Sequence, residues 1–270
     1  TTLAMVAARA GTPVTLAVRD ESDAAFMRAE RRHPRSLRGI QLPASLAVTS
    51  KVRTAVDAAE VVILAIPTQT IRAWGQGVRG LLRPEHVLVH GSKGLEVGSR
   101  LRVSQVLLEV LPLKPERLLA LSGPNFAEEV ARGIPSATVL AGGDPGLRRQ
   151  VQELLTDQRL RVYTSDDLVG VELGGALKNV IALGCGISDG LGFGENTRAA
   201  LITRGLAEMT RLGLRLGAHP LTFSGLSGLG DLVATATSLH SRNLRAGRAI
   251  GAGRSPAEVL RTSPMVIEGA

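Results

Sequence analysis

Lys178 stands in VELGGALKNVIALGCGISDG (171–190), a run that is otherwise apolar or small. Its neighbours one turn away, Gly174, Gly175, Ile181 and Ala182, are mostly small, so on a helix a ligand could come close to this amine. Burial lowers an amine's pKa and would make it a proton carrier near neutral pH; the plain alternative is a lysine that snorkels to water. Two glycines inside a helix cost roughly 1 kcal/mol each against Ala, which favours a close-approach role, with a substrate or cofactor as the visitor. A second lysine, Lys93, sits in HGSKGLE (90–96), a Gly-flanked turn after a hydrophobic run. There it could bind a phosphate or polarise a carbonyl, or simply be an exposed loop charge. AIPTQTI (65–71) and LSGPNFAEE (121–129) repeat the arrangement, the latter with Gly123 and Pro124 ahead of an acidic helix start. Three turns at strand carboxyl ends make one rim.

GLSGLGDLVATATSLHSRN (225–243) puts Asp231 after a Gly-rich turn, where it can cap a helix, with Thr235 one turn later on the same side. Ser241, Arg242 and Asn243 then bring a hydroxyl, a guanidinium and an amide suited to a phosphate monoester. An N-cap and a loop arginine would explain the pieces one by one, but not their company. Arg19 follows VTLAV (14–18), at the place where a cation would accommodate the 2′-phosphate of NADP and an acid would bind the ribose of NAD. A solvated loop charge explains Arg19 equally well.

These residues need a scaffold. The Ala-rich stretch 2–9 reads as a helix stopped by Gly11, and 14–18, 45–49, 61–66, 86–90, 118–122 and 136–142 read as short strands with helical patterns such as 101–111 between them. Strands alternating with helices indicate parallel βαβ units in a doubly wound, Rossmann-type α/β sheet. After Asp167 the reading is helical: 169–187, 196–216 and 231–239. In the second of these, Ile202, Leu206, Met209, Leu212 and Leu216 form a core-facing stripe. The expected organisation is a dinucleotide-binding domain over 1–167 and an all-helical substrate domain over 168–270, with the active site in the cleft between them.

The G-x-G-x-x-G turn that ends the first strand of such a domain is absent, and the opening helix has the character of the helix that such a turn leads into. The chain starts at TTLAMV and stops at VIEGA, so both ends are expected to be cut. In the order 3-2-1-4-5-6 the first strand is central, so 14–18 and 61–66 are expected to flank a gap with unpaired backbone. A chain of these residues alone is then expected to bind dinucleotide weakly.

The 270 residues, 44% hydrophobic and 21% charged, are enough for two folded domains and exclude a disordered chain. A net charge of +8 raises nucleic acid, but with 2% aromatic residues there is little for base stacking, and anionic substrates or cofactors use such a surface better. The single Cys185 excludes an internal disulfide framework and fits the cytoplasm. The longest apolar run, 61–66, is too short to span a bilayer, so no membrane segment is expected.

Four blocks, GSKGLE (91–96), SGPNFAEE (122–129), 170–209 and GLGDLVATATSLHSRN (228–243), closely resemble the bacterial-type NAD(P)-dependent glycerol-3-phosphate dehydrogenases, over essentially the whole chain. The resemblance implies a helical domain of the 6-phosphogluconate dehydrogenase kind. It implies reversible hydride transfer between NAD(P)H and dihydroxyacetone phosphate, giving sn-glycerol 3-phosphate for phospholipid synthesis, with no metal. It assigns catalysis to Lys178, Lys93, Asp231 and Thr235. The substrate falls to Lys93, Gly123, Asn125, Lys178, Asp231, Ser241, Arg242 and Asn243. Cofactor contacts fall on Arg19, Lys93, Ala127, Arg242, Val266 and Glu268. NADP or NAD is the cofactor, with NADPH favoured through Arg19, and a homodimer is compatible. The alternatives are a related 6-phosphogluconate or 3-hydroxyacid dehydrogenase, against which the Ser-Arg-Asn cluster argues, and an inactive phosphate- or nucleotide-binding fragment.

Overall fold

The computed structural model describes residues 1–263 and 267–269. Helix α1 (Thr2–Arg9) leads through Gly11 into β1 (Thr15–Ala17), followed by α2 (Glu21–Glu30), β2 (Ala47–Thr49), α3 (Val52–Asp57), β3 (Val61–Leu64), α4 (Ile71–Val78), β4 (Val87–His90) and α5 (Val103–Val110). Next come β5 (Leu118–Ser122), α6 (Ala127–Ala131), β6 (Ser136–Gly142), α7 (Pro145–Leu155) and β7 (Leu160–Ser165). From there the described chain is helical: α8 (Leu168–Gly190), α9 (Glu195–Arg215), α10 (Pro220–Ser224), a wide turn at Leu226–Gly230, α11 (Asp231–Thr237), α12 (Arg242–Gly251) and α13 (Pro256–Thr262).

The strands form two pieces. β1 pairs with β2, and a second sheet runs in the order β3-β4-β5-β6-β7. Among the described residues no ladder joins β1 to β3, so each has one unpaired edge, as expected for the runs 14–18 and 61–66. Helix α1 spans the two pieces through its side chains: Met5 and Ala8 pack with Ala24, Met27 and Val48, while Val6 and Ala7 pack with Val87, Val89 and Leu119.

The ladders are parallel except that β5 and β6 run antiparallel. This departs from the expected all-parallel βαβ series. Strand β4 shows why HVLVH reads as one apolar run: Leu88 faces the cluster under α4 and α5, and Val87 and Val89 face the cluster under α1 and α7. Strand β7 was not expected from sequence. Among the described residues it pairs with β6 alone, burying Leu160 and Val162 and exposing Arg161 and Tyr163, so polar residues interrupt the apolar run that would have marked it.

Helix α8 is the axis of the helical part. It is long and apolar enough to cross a membrane by length and composition, although no unbroken apolar run marks it in the sequence. Its charged residues nevertheless point into protein: Glu172, Lys178 and Asp189 all hold ion pairs there. Asp189 ties three helices together, binding Arg198 of α9 at 2.7 Å and Arg248 of α12 at 2.9 Å. The stripe expected on α9 is partly corrected. Ile202, Leu206 and Met209 face the core, but Leu212 and Leu216 are exposed, because the buried face continues through Gly213, on which the Phe223 ring sits.

Helices α8 and α12 touch backbone to backbone. A Cβ on Gly186 would run into the Leu244 carbonyl, and one on Gly247 into the Leu183 carbonyl, both far inside van der Waals contact. This contact fixes where α12 starts. Gly247→Ala is therefore expected to lower stability by about 1–3 kcal/mol, the usual cost of overpacking, in chemical or thermal unfolding. An unchanged midpoint would contradict the packing described.

Candidate active site

The three turns Ile66–Thr68, Gly91–Lys93 and Gly123–Asn125 follow β3, β4 and β5, so the expected rim lies along one edge of three parallel strands. Lys93 reaches from it toward the helical part. Its ammonium donates to the Gly123 carbonyl at 3.1 Å, to Asn125 Oδ1 at 3.2 Å and to Asp231 Oδ2 at 2.7 Å. Asn125 is held in turn, its Nδ2 donating to Thr138 Oγ1 at 3.1 Å.

The other carboxylate oxygen of Asp231 accepts from Lys178 Nζ, which also donates to Thr235 Oγ1 at 2.9 Å. Thr235 donates to the Asp231 carbonyl at 2.6 Å, the i+4 spacing that put both on one face of α11. Asp231 was expected to cap its helix. It is instead the first helical residue and spends its carboxylate on two ammonium groups, because both point at it from outside α11.

Lys178 is 5% exposed. Burial lowers its pKa and the Lys93 ammonium lowers it further, against the opposing pull of Asp231, leaving it at about 7. Its glycines do permit close approach, but protein makes it. A Cβ on Gly174 would lie 2.5 Å from the Ser227 carbonyl oxygen, and one on Gly175 2.8 Å from Ser122 Oγ and 3.3 Å from Lys93 Cγ. The ligand expected beside Gly174 and Gly175 is replaced by the wide turn before α11 and by the stem of Lys93.

Ser241, Arg242 and Asn243 begin α12, so they meet at a helix N-terminus, a favourable place for an anion. Two of the three are also internal struts. Ser241 Oγ accepts from Leu244 N at 3.2 Å as the N-cap. Asn243 Nδ2 donates to Asn179 Oδ1 at 2.9 Å, and its Oδ1 accepts from Gly269 N at 2.9 Å. Asn179, next to Lys178 in sequence, was missed, although an amide in an apolar helix was a visible signal.

The structure also places the residues expected at a dinucleotide. The Ala127 carbonyl, at the start of α6, accepts from Thr2 Oγ1 at 3.1 Å, which brings the start of α1 to the third turn of the rim. Glu268 lies against the rim as well. Its carboxyl is pushed up by burial, against the pull of Arg242 and a hydrogen bond from the Thr68 backbone. Arg19 follows β1, largely exposed, and donates to Asp20 at 3.3 and 3.4 Å. Val266 lies outside the described residues. Among the described residues, Thr68 Oγ1 and Ser122 Oγ are buried on the rim with no hydrogen-bond partner.

A further group missed in sequence is Glu172, nine-tenths buried on α8. It accepts from Ser104 N at 2.7 Å, from Ser104 Oγ at 2.6 Å and from Arg102, and its Oε1 lies 3.2 Å from His90 Nε2. Burial would raise its pKa, yet His90, Arg102 and Ser104 hold the carboxyl below its usual range. His90 ends β4 three residues before Lys93, so this pairing fastens α8 to the strand that carries the second lysine.

Known proteins share this architecture. A model of the NAD-dependent glycerol-3-phosphate dehydrogenase N-terminus matches residues 1–147, and one of the C-terminus matches 167–270. Glycerol-3-phosphate dehydrogenase [NAD(P)+] of Halalkalibacterium halodurans is 46% identical over 270 residues, all of this chain and 78% of that protein. Its counterpart from Geobacter sulfurreducens is 49% identical, over all of this chain and 81% of that protein. The crystal structure of glycerol-3-phosphate dehydrogenase from Coxiella burnetii superposes with a TM-score of 0.93 at 37% identity, covering 99% of this chain and 82% of that one. The fold and the matches define a two-part oxidoreductase with a Rossmann-type sheet and a helical partner. The chain belongs to the NAD-dependent glycerol-3-phosphate dehydrogenase family.

With Asp231 holding Lys178 in its charged form against burial, Asp231→Asn is expected to move the Lys178 titration midpoint below about 7. Carbon-13 NMR of the lysine side chains reads it, and an unmoved or raised midpoint would contradict the electrostatics described.

Proposed function

We propose that this chain interconverts dihydroxyacetone phosphate and sn-glycerol 3-phosphate with NAD or NADP, using Lys178 as the acid and base. The observation that carries the proposal is a buried amine poised at about 7 beside Asp231 and Lys93, next to the rim of a dinucleotide-type sheet. A nicotinamide dinucleotide, when bound, supplies the hydride for C2 of the ketone or takes it up from the alcohol.

Lys178 gives its proton to the C2 oxygen as the ketone is reduced and removes it as the alcohol is oxidised. Lys93 stands across Asp231 and adds positive charge where an alkoxide develops. Asp231 and Thr235 keep the Lys178 amine aimed. Gly123 and Asn125 hold Lys93 from the sheet side and border the substrate. Arg242, with Ser241 and Asn243 at the start of α12, takes the phosphate, supported by a guanidinium on a helix N-terminus. Arg19, Lys93, Ala127, Arg242, Val266 and Glu268 are the residues proposed to hold the dinucleotide. The domain division proposed at 167/168 falls between the end of β7 and the start of α8. A cytoplasmic setting, supported by the lone buried Cys185, and a homodimer go with the same reading.

The reduction needs Lys178 charged and the oxidation needs it neutral. Because its pKa is lowered to about 7, reduction slows and oxidation speeds up as pH rises through that value. Lys178→Met is expected to cut kcat by about 100-fold or more while leaving substrate KM within a few-fold, measured as NAD(P)H oxidation with dihydroxyacetone phosphate. Turnover retained in this variant would remove Lys178 from the mechanism. Turnover absent from the unaltered chain would overturn the reaction itself.

A further inference from the structure

We propose that Glu96 is a positioning residue for the reaction: its two-pronged pairing with Arg72 holds the loop that carries Lys93, and so keeps that ammonium on Asp231. The inference rests on the function proposed above. Before Lys93 the chain is fixed to the end of β3 and the turn after it. Gly91 N donates to the Leu64 carbonyl at 2.8 Å, and Ser92 Oγ to the Ile66 carbonyl at 2.6 Å. After Lys93 stands Gly94, at φ +146°, a conformation open to glycine, whose backbone is free to swing unless something beyond it is held. None of residues 91–102 is fully buried, and Val97 is 81% exposed, so apolar packing holds this loop only through the half-buried Leu95 and Leu101. Polar ties supply the remainder.

Arg72, the second residue of α4, donates to Glu96 Oε1 at 2.8 Å and to Oε2 at 2.9 Å, a fork-to-carboxylate match that fixes direction as well as distance. Ser99 Oγ donates to the same carboxylate. These hydrogen bonds, that of Arg72 first, hold the Glu96 carboxyl down at about 2, so it is ionised at any pH where the enzyme would work. Gln69 adds a second tie, donating to the Leu95 carbonyl and accepting from Val97 N, both at 2.9 Å. The charges around the pair are Glu109 of α5, which also binds Arg72 at 2.8 Å, the exposed Arg100, and Arg102, which is bridged to Leu95 but spends its guanidinium on Glu172. Lys178 senses whether the loop is held. It faces Lys93 across Asp231, with Thr235 beside it; the Lys93 ammonium lowers its pKa and Asp231 raises it. With the loop released, Lys93 would leave, Asp231 would serve Lys178 alone, and the Lys178 pKa would rise. Loss of the Glu96 charge by itself acts the other way, since removing an anion disfavours an ammonium. The sign of the change therefore separates positioning from charge.

The test follows the Lys178 titration by carbon-13 NMR of the lysine side chains, together with kcat for dihydroxyacetone phosphate reduction, in the chain and in three variants. In Glu96→Gln the midpoint is expected to climb from about 7 to at least about 7.5, and kcat to fall about tenfold or more as Lys93 strays. Arg72→Lys keeps the charge but loses the fork, and is expected to move both in the same direction; it carries the test should Glu96→Gln not fold. Glu109→Gln takes the other acid from Arg72 and is expected to leave the midpoint unmoved and kcat within about twofold. A midpoint that stays or falls in the folded loop variants, or a Glu109→Gln variant that behaves like Glu96→Gln, overturns the inference. Absence of turnover from the unaltered chain would overturn the dehydrogenase reading, and the NMR midpoint would still decide whether Glu96 holds Lys93 in place.

Discussion

One carboxylate, Asp231, binds two ammonium groups that arrive from different parts of the chain, Lys93 from the turn after β4 and Lys178 from the middle of α8. Two like charges repel, and both the buried Lys178 and the partly buried Lys93 lose hydration. The acid between them makes the pair tolerable and keeps it imperfectly balanced. With one negative charge for two positive, one amine must be easy to deprotonate, and the more deeply buried Lys178 is the one brought to about 7. A proton carrier near neutrality is the consequence of this arithmetic of charge.

Much of the surrounding structure keeps that triangle from opening. Gly174 and Gly175 let the turn before α11 and the stem of Lys93 lie against α8, so that Asp231 reaches both amines. Glu172, through His90, Arg102 and Ser104, fastens α8 to the end of β4 and the start of α5. Asp189 fastens the other end of α8 to α9 and α12. Glycine contacts between α8 and α12 set the position of Ser241, Arg242 and Asn243, and Asn243 is tied back to Asn179 beside the lysine. The lysine of one helix and the start of the next are thus joined through one set of contacts.

The elements most legible in the sequence were those buried on both faces. Residues 118–122 and 136–142 form strands with the boundaries their apolar runs suggest, and α8 lies where its pattern placed it, give or take a few residues; α9, covered on one face only, was legible through its apolar stripe. Strand β7 escaped notice because only one of its faces is covered, and Leu212 and Leu216 misled because Gly213, a residue without a side chain, carries the buried face of α9. Lys93, Lys178, Asp231 and Thr235 could be singled out by type and local spacing. That Asp231 would join both lysines rather than cap α11 could not, since separations of 138 and 53 residues leave no local pattern.

The most direct test of the charge triangle is a crystal structure of the chain with dihydroxyacetone phosphate and a reduced dinucleotide. The C2 oxygen is expected within hydrogen-bond reach of Lys178 Nζ, the phosphate at Arg242, and the Asp231 carboxylate still shared by Lys93 and Lys178. A ketone oxygen turned away from Lys178, or lysines parted from Asp231 around the ligand, would contradict it.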